Sequence, residues 1–274
     1  MKKKEKSAFY MQQFESIFQC PVCASAMKIV ENKSVVCDQN HTFDIAKQGY
    51  VNFLTRPVRS EYDKDLFEAR KIVIDSGLYK PLHSKIREIM GEEKALKVLD
   101  TGCGEGSHLS HILGTSSEAV GVGIDIAKEG ILSASKYYND IIWCVGDLAN
   151  SPFREESFDV VLNILSPANY IEFNRLLKQD GLLIKVVPKS GYLKEIREMF
   201  YQETYSNEQT VERFIERFQQ VETFELSYKI PLNQALIQPL LRMTPLTWNK
   251  IEADKEIHLP EISIDLEILV GRKN

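Results

Sequence analysis

Five short apolar runs, separated by stretches with helical spacing, are the feature that most constrains the fold of this chain. These runs occupy residues 96–100, 119–125, 141–147, 158–165 and 181–187. Apolar runs of this length that alternate with helices are typical of buried parallel strands joined by right-handed crossovers. Two further β-like runs, at 223–230 and 262–270, are expected to complete the sheet. The pattern predicts an α/β, doubly wound sheet, in which ligands bind beyond the carboxyl ends of the strands.

The first run leads directly into a glycine-rich stretch, DTGCGEGSHL. Gly102, Gly104 and Gly106 let the backbone turn sharply and approach a ligand without a Cβ atom in the way. A dinucleotide fingerprint would place its third glycine where Ser107 stands, and the acidic Asp100 before the loop also differs from it. Both differences favour a nucleoside that carries a charged amino acid, as S-adenosylmethionine does.

Acidic residues end the second and third runs. Asp125 stands where a carboxylate can accept hydrogen bonds from both ribose hydroxyls, and Asp147 could accept one from an adenine amine. Together with the glycine loop they predict an S-adenosylmethionine site rather than a structural turn with surface acids. Cys103 lies in the loop and Cys144 in the third run, and we interpret both as small apolar filler rather than nucleophiles.

A second motif lies near the start of the chain. Cys20 and Cys23 form C-x-x-C, and Cys37 and His41 follow as C-x-x-x-H. Three thiolates and one imidazole at this spacing suit a tetrahedral zinc ion and leave no position open for chemistry, so we expect a structural role. The alternative, buried free thiols with His41 on the surface, would have to place four compatible ligands together by chance.

Aromatic and basic residues follow these ligands. Phe43, Tyr50 and Phe53 lie near Lys47, a mixture that could stack on and neutralise RNA or could form a small apolar core. We favour the core for Phe43 and leave both alternatives open for Tyr50 and Phe53. Residues 1–60 hold nine Lys and Arg against five Asp and Glu, in a chain whose net charge is −5. This local excess permits phosphate contacts.

The chain is expected to divide into three parts: an N-terminal zinc-binding, RNA-recognition module (1–55), a linker and helical segment (56–95) and a methyltransferase domain (96–274). The segments DLFEARKIVIDSGLY and PLHSKIREIM within the middle part have helical spacing. No apolar run approaches the length needed to span a bilayer, and no apolar stretch follows the basic start as in a signal peptide. We therefore expect a cytoplasmic protein with no membrane partner.

Particular segments along nearly the whole chain resemble one family, the bacterial 23S rRNA (guanine-N1)-methyltransferases. They are CPVC, FDIAKQGYVN, EAR, SGLYKPL, VLDTGCGEGSH, SPFREESFDVVL and RMTPLTW. The cysteine pair and the glycine loop are generic alone, whereas FDIAKQGYVN and MTPLTW are particular to that family. The resemblance implies a class I methyltransferase sheet with a small N-terminal zinc ribbon, and a homodimer with a cleft between its protomers.

The resemblance also implies roles for individual residues. It implies zinc ligation by Cys20, Cys23, Cys37 and His41. It implies contacts with the methyl donor at Tyr79, at the loop residues Gly104, Glu105 and Gly106, and at Tyr192, a position that is histidine in the family.

The family reaction moves the sulfonium methyl group to N1 of a guanine in a 23S rRNA hairpin loop. The N1 proton must leave, which requires an acceptor or a group that stabilises the enolate-like oxygen. The sequence identifies no general base; Asn163 is a candidate for holding the base edge, or it caps the next turn. Two rival functions remain at this point: a small-molecule methyltransferase with the same donor pocket, and a non-enzymatic RNA-binding zinc protein. Which of two neighbouring hairpin guanines is modified stays open.

Overall fold

The computed structural model describes residues 2–58, 60–91, 95–114, 118–201, 205–218, 221–247 and 257–273. Within these ranges the strands are β1 (Met27–Val30), β2 (Ser34–Cys37), β3 (Thr42–Asp44), β4 (Val51–Asn52), β5 (Lys97–Thr101), β6 (Val120–Asp125), β7 (Ile141–Val145), β8 (Phe158–Ile164), β9 (Leu177–Pro188), β10 (Val221–Pro231) and β11 (Glu261–Arg272). The helices there are α1 (Lys3–Gln13), α2 (Lys64–Asp75), α3 (Lys80–Met90), α4 (Ser107–Leu113), α5 (Lys128–Tyr137), α6 (Tyr170–Leu176), α7 (Lys194–Phe200), α8 (Glu208–Ile215) and α9 (Gln234–Met243). Trp248, which ends the RMTPLTW segment, lies outside the described residues.

The main sheet has the strand order β10-β11-β9-β8-β5-β6-β7-β4 in the described part of the chain. Strands β5 to β9 are parallel to their neighbours among themselves, whereas β11 is antiparallel to both β9 and β10. The chain runs outward in opposite directions from β5 and β8, so a crevice opens at their carboxyl ends. The doubly wound α/β sheet and its seven predicted strands are confirmed.

The N-terminal module (residues 1–55) is joined to this sheet rather than standing apart from it. Its β1, β2 and β3 form a small antiparallel sheet, but β4 adds to the edge of the main sheet, parallel to β7. The backbone N–H of Phe53 also donates to the carbonyl of Val145 at 2.8 Å. A strand of two residues carries no periodicity, so the sequence pattern could not predict this pairing.

The N-terminal module also covers part of one face of the sheet. Phe18, Val35 and Phe53 belong to the same buried apolar cluster as Leu99 and Val161 of the central strands. The residues next along those strands, which point to the opposite face, pack in a second cluster with α3. The central strands thus carry apolar residues on both faces of the main sheet, and each face must be packed against other elements. The N-terminal module packs against part of one face.

Two helices before β5 bring side chains to the crevice. The carboxylate of Asp63 caps α2 by accepting from the N–H of Leu66 at 2.8 Å. The helix ends at Asp75, and Gly77 turns the chain with φ +90°. This turn brings the chain to Tyr79, which is fully buried and directly precedes the first residue of α3. The two helices predicted from the apolar spacing are thereby confirmed.

Candidate active site and metal centre

Two tight turns bring four potential metal ligands together in the N-terminal module. In the first turn, the N–H of Ala24 donates to the carbonyl of Cys20 at 2.8 Å. In the second, the N–H of Asn40 donates to the carbonyl of Cys37 at 2.8 Å, and Asn40 adopts φ +62°. Met27 lies opposite Cys37 in the β1–β2 hairpin, so the hairpin register brings the two turns side by side.

The geometry of this cluster fits a zinc ion. The ligand atoms of Cys20, Cys23, Cys37 and His41 all lie within 4.8 Å of one another. The Sγ atoms of Cys23 and Cys37 are 3.7 Å apart, and Nδ1 of His41 lies 3.4 Å from the Sγ of Cys37. Tetrahedral bonds of the usual zinc lengths, about 2.3 Å to sulfur and about 2.0 Å to nitrogen, require separations close to these. The predicted ligand set is assembled as a closed, structural site.

A cavity of about 810 Å³ lies at the carboxyl ends of the parallel strands. Six of the residues predicted to contact the methyl donor line it. They are Tyr79, Gly102, Gly104, Asp125, Asp147 and Tyr192. We call this space the central cavity. Pockets that bind small molecules and cofactors have volumes of roughly 300–1,000 Å³. The central cavity is therefore large enough for a nucleoside cofactor.

The glycine loop is tied to the end of β6. Oδ2 of Asp125 accepts from the N–H of Gly104 at 2.8 Å, and Oδ1 accepts from the N–H of Ala127 at 2.7 Å. Burial raises the pKa of this carboxyl group. At the end of β7, Oδ1 of Asp147 accepts from the N–H of Ala149 at 2.9 Å. These bonds hold both acids at the edge of the central cavity, where adenosine hydroxyl and amine groups would need acceptors.

Gly104 cannot carry a side chain without disturbing the loop. Its φ is +58°, and a Cβ there would lie 2.0 Å from Nη1 of Arg70 and 3.2 Å from the ring of Phe67. We expect Gly104→Ala to weaken S-adenosylmethionine binding by about tenfold or more, which corresponds to about 1.4 kcal/mol, in isothermal titration calorimetry.

Gly114→Ala is the matched control for this substitution. Gly114 also has a positive φ, +66°, but a Cβ there meets no atom within 4 Å. Both variants therefore carry the backbone strain of an L-residue at positive φ, about 1–3 kcal/mol, and only Gly104→Ala adds a clash at the central cavity. Equal donor affinity in the two variants would contradict the assignment of this loop.

A buried ion pair joins α2 to the glycine loop. Nη1 of Arg70 donates to Oε2 of Glu105 at 2.8 Å, and Glu105 is 0% exposed. The other carboxylate oxygen, Oε1, has no hydrogen-bond partner in the described structure. Asp100, Glu105 and Gly106 do not line the central cavity; they are buried behind it, and burial raises the pKa of Asp100 to about 7. Arg70 does line it, and sequence reasoning singled it out only as the last letter of EAR.

The two predicted tyrosines meet at the central cavity. The hydroxyl oxygens of Tyr79 and Tyr192 are 2.6 Å apart, and both rings are buried. Burial raises the pKa of each phenol. Residues separated by 113 positions thus form one polar edge of the cavity, which is consistent with the predicted donor contacts.

Asn163 lies at the end of β8 with its polar groups directed into the protein. It is 0% exposed and does not line the central cavity. Its Oδ1 accepts from Nζ of Lys185 at 2.6 Å, and its Nδ2 contacts backbone and hydroxyl oxygens of Thr101 and the carbonyl of Pro167. Pro167 and Lys185 of this cluster line the central cavity, and Lys185 is a charged residue that sequence reasoning missed.

The aromatic residues that follow the metal ligands pack into the core. Tyr50 is 6% and Phe53 is 2% exposed, so the RNA-stacking alternative that was open for these two is wrong. The Phe43 ring packs on Phe53 with centroids 5.1 Å apart, which confirms its predicted place in the core. Lys47 is exposed. Cys103 and Cys144 are buried, and burial raises the pKa of both thiols, as expected of apolar filler.

Comparison with protein families finds two matches along the chain. Residues 18–61 match a family model described as RlmA, N-terminal, and contain the four cysteine and histidine ligands. Residues 98–181 match a model described as Methyltransferase domain, which includes the glycine loop and the ends of β6, β7 and β8. The four metal ligands and the glycine loop therefore lie within recognised domains, whereas Tyr79 and Tyr192 lie outside the matched ranges.

Two relatives match along most of the chain. A Bacillus subtilis (strain 168) protein, YxjB, named as a candidate 23S rRNA (guanine-N1)-methyltransferase, is 46% identical over 275 residues, covering 94% of this chain and 98% of the relative. A Streptomyces fradiae 23S rRNA (guanine(748)-N1)-methyltransferase is 28% identical, covering 85% of this chain and 86% of the relative. The similarity thus extends through both the zinc cluster and the central cavity.

Among solved structures, the YcgJ protein of Bacillus subtilis is similar in fold. It superposes with a TM-score of 0.51 at 16% sequence identity and covers 70% of this chain and 97% of its own. At this identity the likeness describes the fold alone. Together with the Methyltransferase domain match, it identifies the main sheet as a class I methyltransferase fold.

Proposed function

This chain belongs to the 23S rRNA (guanine-N1)-methyltransferase family, and we propose that it methylates N1 of one guanine in a hairpin loop of 23S rRNA. The observation that carries the proposal is the 46% identity over 94% of the chain, because it covers the zinc cluster and the central cavity together. S-adenosylmethionine is the methyl donor, and zinc is the structural ion of the N-terminal module.

The residues of the central cavity have distinct roles in this proposal. The glycine loop and Asp125 hold the ribose and the amino acid part of the donor, and Asp147 faces the adenine. Tyr79 and Tyr192 close the other side. N1 of guanine is paired and stacked in a duplex, so the base must leave its stack to enter the cavity. The protein then contributes mainly alignment, by holding N1 in line with the methyl group.

We propose that RNA reaches the central cavity along a neighbouring groove. This groove, of about 520 Å³, is lined by Arg56 and Lys128, and it shares Tyr62 and Ile126 with the central cavity. Glu129 also lines this groove, which leaves two cationic side chains against one acidic side chain. A groove of this charge beside the cavity suits a negatively charged RNA strand whose flipped base enters the cavity. We propose that Lys47, which is exposed on the N-terminal module, adds a further phosphate contact.

The double variant Lys47→Ala with Arg56→Ala is expected to weaken RNA binding in a salt-dependent way. Each lost phosphate contact should reduce the slope of log affinity against log salt by about one. The measurement is fluorescence anisotropy with a labelled 23S rRNA hairpin at several salt concentrations. Lys33→Ala is the control, because Nζ of Lys33 pairs with Glu31 at 2.8 Å on the exposed turn of the same module. Equal slopes for the wild type and the double variant would contradict this path.

The proposed rRNA substrate bears on the cellular compartment of this protein. None of the described helices has the length and apolar character needed to cross a bilayer. We place the reaction in the cytoplasm, where ribosomal RNA is available, and propose the homodimer that the family resemblance implies. Light scattering of the purified protein measures the oligomeric state directly.

The experiment for the proposed function uses labelled S-adenosylmethionine and RNA from a strain that lacks this protein. We expect label to enter 23S rRNA and to be lost after RNase treatment. Label in a metabolite extract that resists RNase would favour a small-molecule methyltransferase instead. Failure to bind the donor in calorimetry would favour a non-enzymatic RNA-binding protein.

A further inference from the structure

A buried lysine faces the central cavity at the end of β9. Lys185 is 3% exposed and lines the cavity beside residues 164–169. A lysine so deeply buried is unusual unless it is paired with an acid. Among the described residues, no carboxylate lies within 4.0 Å of its Nζ. Its recorded contacts are neutral: Nζ donates to Oδ1 of Asn163 at 2.6 Å and to the carbonyl of Ser166 at 3.0 Å.

The orientation of the Asn163 amide is fixed by its other neighbours. Its Nδ2 lies 3.3 Å from the carbonyl of Thr101, 3.1 Å from Oγ1 of Thr101 and 3.0 Å from the carbonyl of Pro167. The Thr101 hydroxyl donates its own proton to the carbonyl of Leu162 at 2.9 Å, so toward Asn163 it accepts. Acceptors therefore surround the amide nitrogen, and the amide oxygen must face Lys185.

The number of acceptors around Nζ of Lys185, Oδ1 of Asn163 and the carbonyl of Ser166, matches the number of N–H bonds in a neutral lysine. A neutral amine has two N–H bonds and one lone pair, whereas an ammonium has three N–H bonds. Asn163 and Ser166 take two N–H bonds, and the remaining tetrahedral position of Nζ is left for the cavity side. Burial lowers the pKa of Lys185 to about 8, so the neutral form is accessible near physiological pH. Efficient general bases have pKa values near the operating pH.

We propose that Lys185 is the general base that removes the N1 proton of the target guanine. This inference rests on the proposed function and supplies the proton acceptor that the reaction needs. The N1–H bond breaks, and its proton forms an N–H bond with the lone pair of Nζ. The N1 electron pair forms the bond to the methyl carbon as the carbon–sulfur bond breaks. One positive charge thus leaves sulfur and one appears on Nζ, which later returns its proton to water.

Other charged or titratable groups face the same cavity from the surrounding elements. They are Tyr62 and Arg70 before and on α2, Tyr79 before α3, His108 on α4, Asp125 and Asp147 at the ends of β6 and β7, and Tyr192, Arg197 and Tyr205 on the α7 side. The aspartates already accept backbone N–H bonds, and the arginines cannot accept a proton. Burial keeps His108 neutral, but Nδ1 of His108 lies 2.9 Å from Nε2 of His83. Lys185 combines a pKa of about 8 with a tetrahedral position that Asn163 and Ser166 do not occupy in the described part of the chain.

The test measures single-turnover methylation of a 23S rRNA hairpin between about pH 6 and about pH 10. For the wild type we expect a rate that rises with pH through an apparent pKa near 8 and then levels off. Lys185→Met and Lys185→Arg should both be slower by about 100-fold or more, without that rise, because removing a general base typically costs 10²–10⁴-fold. Arginine keeps the charge but cannot exchange the proton, so an active Lys185→Arg would overturn the proposal.

Two further measurements separate catalysis from folding. Calorimetry should give similar donor affinities for the wild type and Lys185→Met. The ¹⁵N signal of the Lys185 amine, assigned by its loss in Lys185→Met, should titrate near 8 in the intact wild type. Titration above 10 would overturn the proposal even where a variant fails to fold. If the wild type makes no N1-methylguanine at all, the proposed function fails rather than the role of Lys185.

Discussion

Removing zinc from this protein should unfold the N-terminal module and destabilise the main sheet with it. A structural zinc contributes about 10–16 kcal/mol to the folding of a module of this kind. The module shares a buried cluster with central strand residues such as Leu99 and Val161, and β4 pairs with β7. We therefore expect Cys37→Ser to lose its zinc, to melt at a lower temperature than the wild type and to lose RNA methylation.

The measurements are metal analysis by mass spectrometry and thermal melting by circular dichroism. Cys144→Ser is the control, because it makes the same chemical change at a buried thiol that belongs to no ligand set. It should retain zinc, whatever stability it loses in the core. A Cys37→Ser protein with full zinc content and the wild-type melting temperature would contradict the structural role of the metal.

Replacing Arg70 should have the second largest effect, because it leaves the Glu105 carboxylate buried without its partner. Breaking a buried ion pair by removing one side costs about 3–5 kcal/mol. We expect a loss of this size for Arg70→Met in denaturant unfolding at neutral pH. The donor affinity should fall as well, since Arg70 also lies against Gly104. The double variant Arg70→Met with Glu105→Gln should recover much of the stability, because the buried charge is gone.

The pH dependence gives an independent check on this variant. Burial raises the pKa of Glu105, and Arg70 counteracts that effect. Without Arg70 the pKa of the folded state rises further above its unfolded value. When the pKa of a carboxyl group is higher in the folded state, its protonation stabilises the folded state. This stabilisation is lost as pH rises through the folded-state pKa. The free energy of unfolding of Arg70→Met should therefore fall as pH rises above the ordinary carboxyl range, and a flat profile would contradict this role of Arg70.

The sequence predicted those features that depend on local spacing. The alternation of apolar runs was enough for the parallel sheet, and the C-x-x-C and C-x-x-x-H pairs were enough for the metal ligands. Asp125 and Asp147 were found because they directly follow buried strands. Each of these signals lies within a few residues of the feature it predicts.

The residues that were missed reach the site from distant parts of the chain. Arg70 comes from a helix 35 residues before its partner Glu105, so no local motif joins them. Lys185 was hidden inside the apolar run 181–187, although a lysine in a buried strand is itself a signal. The burial of Tyr50 and Phe53 depends on the packing of the N-terminal module against the main sheet, which composition does not specify.

This packing also changes the interpretation of the zinc cluster. The sequence suggested a separate module that reads RNA, whereas the structure joins that module to the edge and one face of the catalytic sheet. We propose that the metal therefore serves two purposes, supporting the sheet beside the central cavity and holding the cationic groove next to it. The division at residue 55 is a boundary of sequence motifs, and the hydrophobic core continues across it.

A map of the methylated position tests whether this protein is a 23S rRNA (guanine-N1)-methyltransferase. The purified protein and S-adenosylmethionine are incubated with 23S rRNA from a strain that lacks the protein, and reverse transcription is then used to locate blocks. Methylation at N1 disrupts the pairing edge of guanine and stops the polymerase. We expect one new stop, dependent on both donor and protein, at a guanine in a hairpin loop. Methyl transfer without such a stop, or stops at other bases, would contradict it.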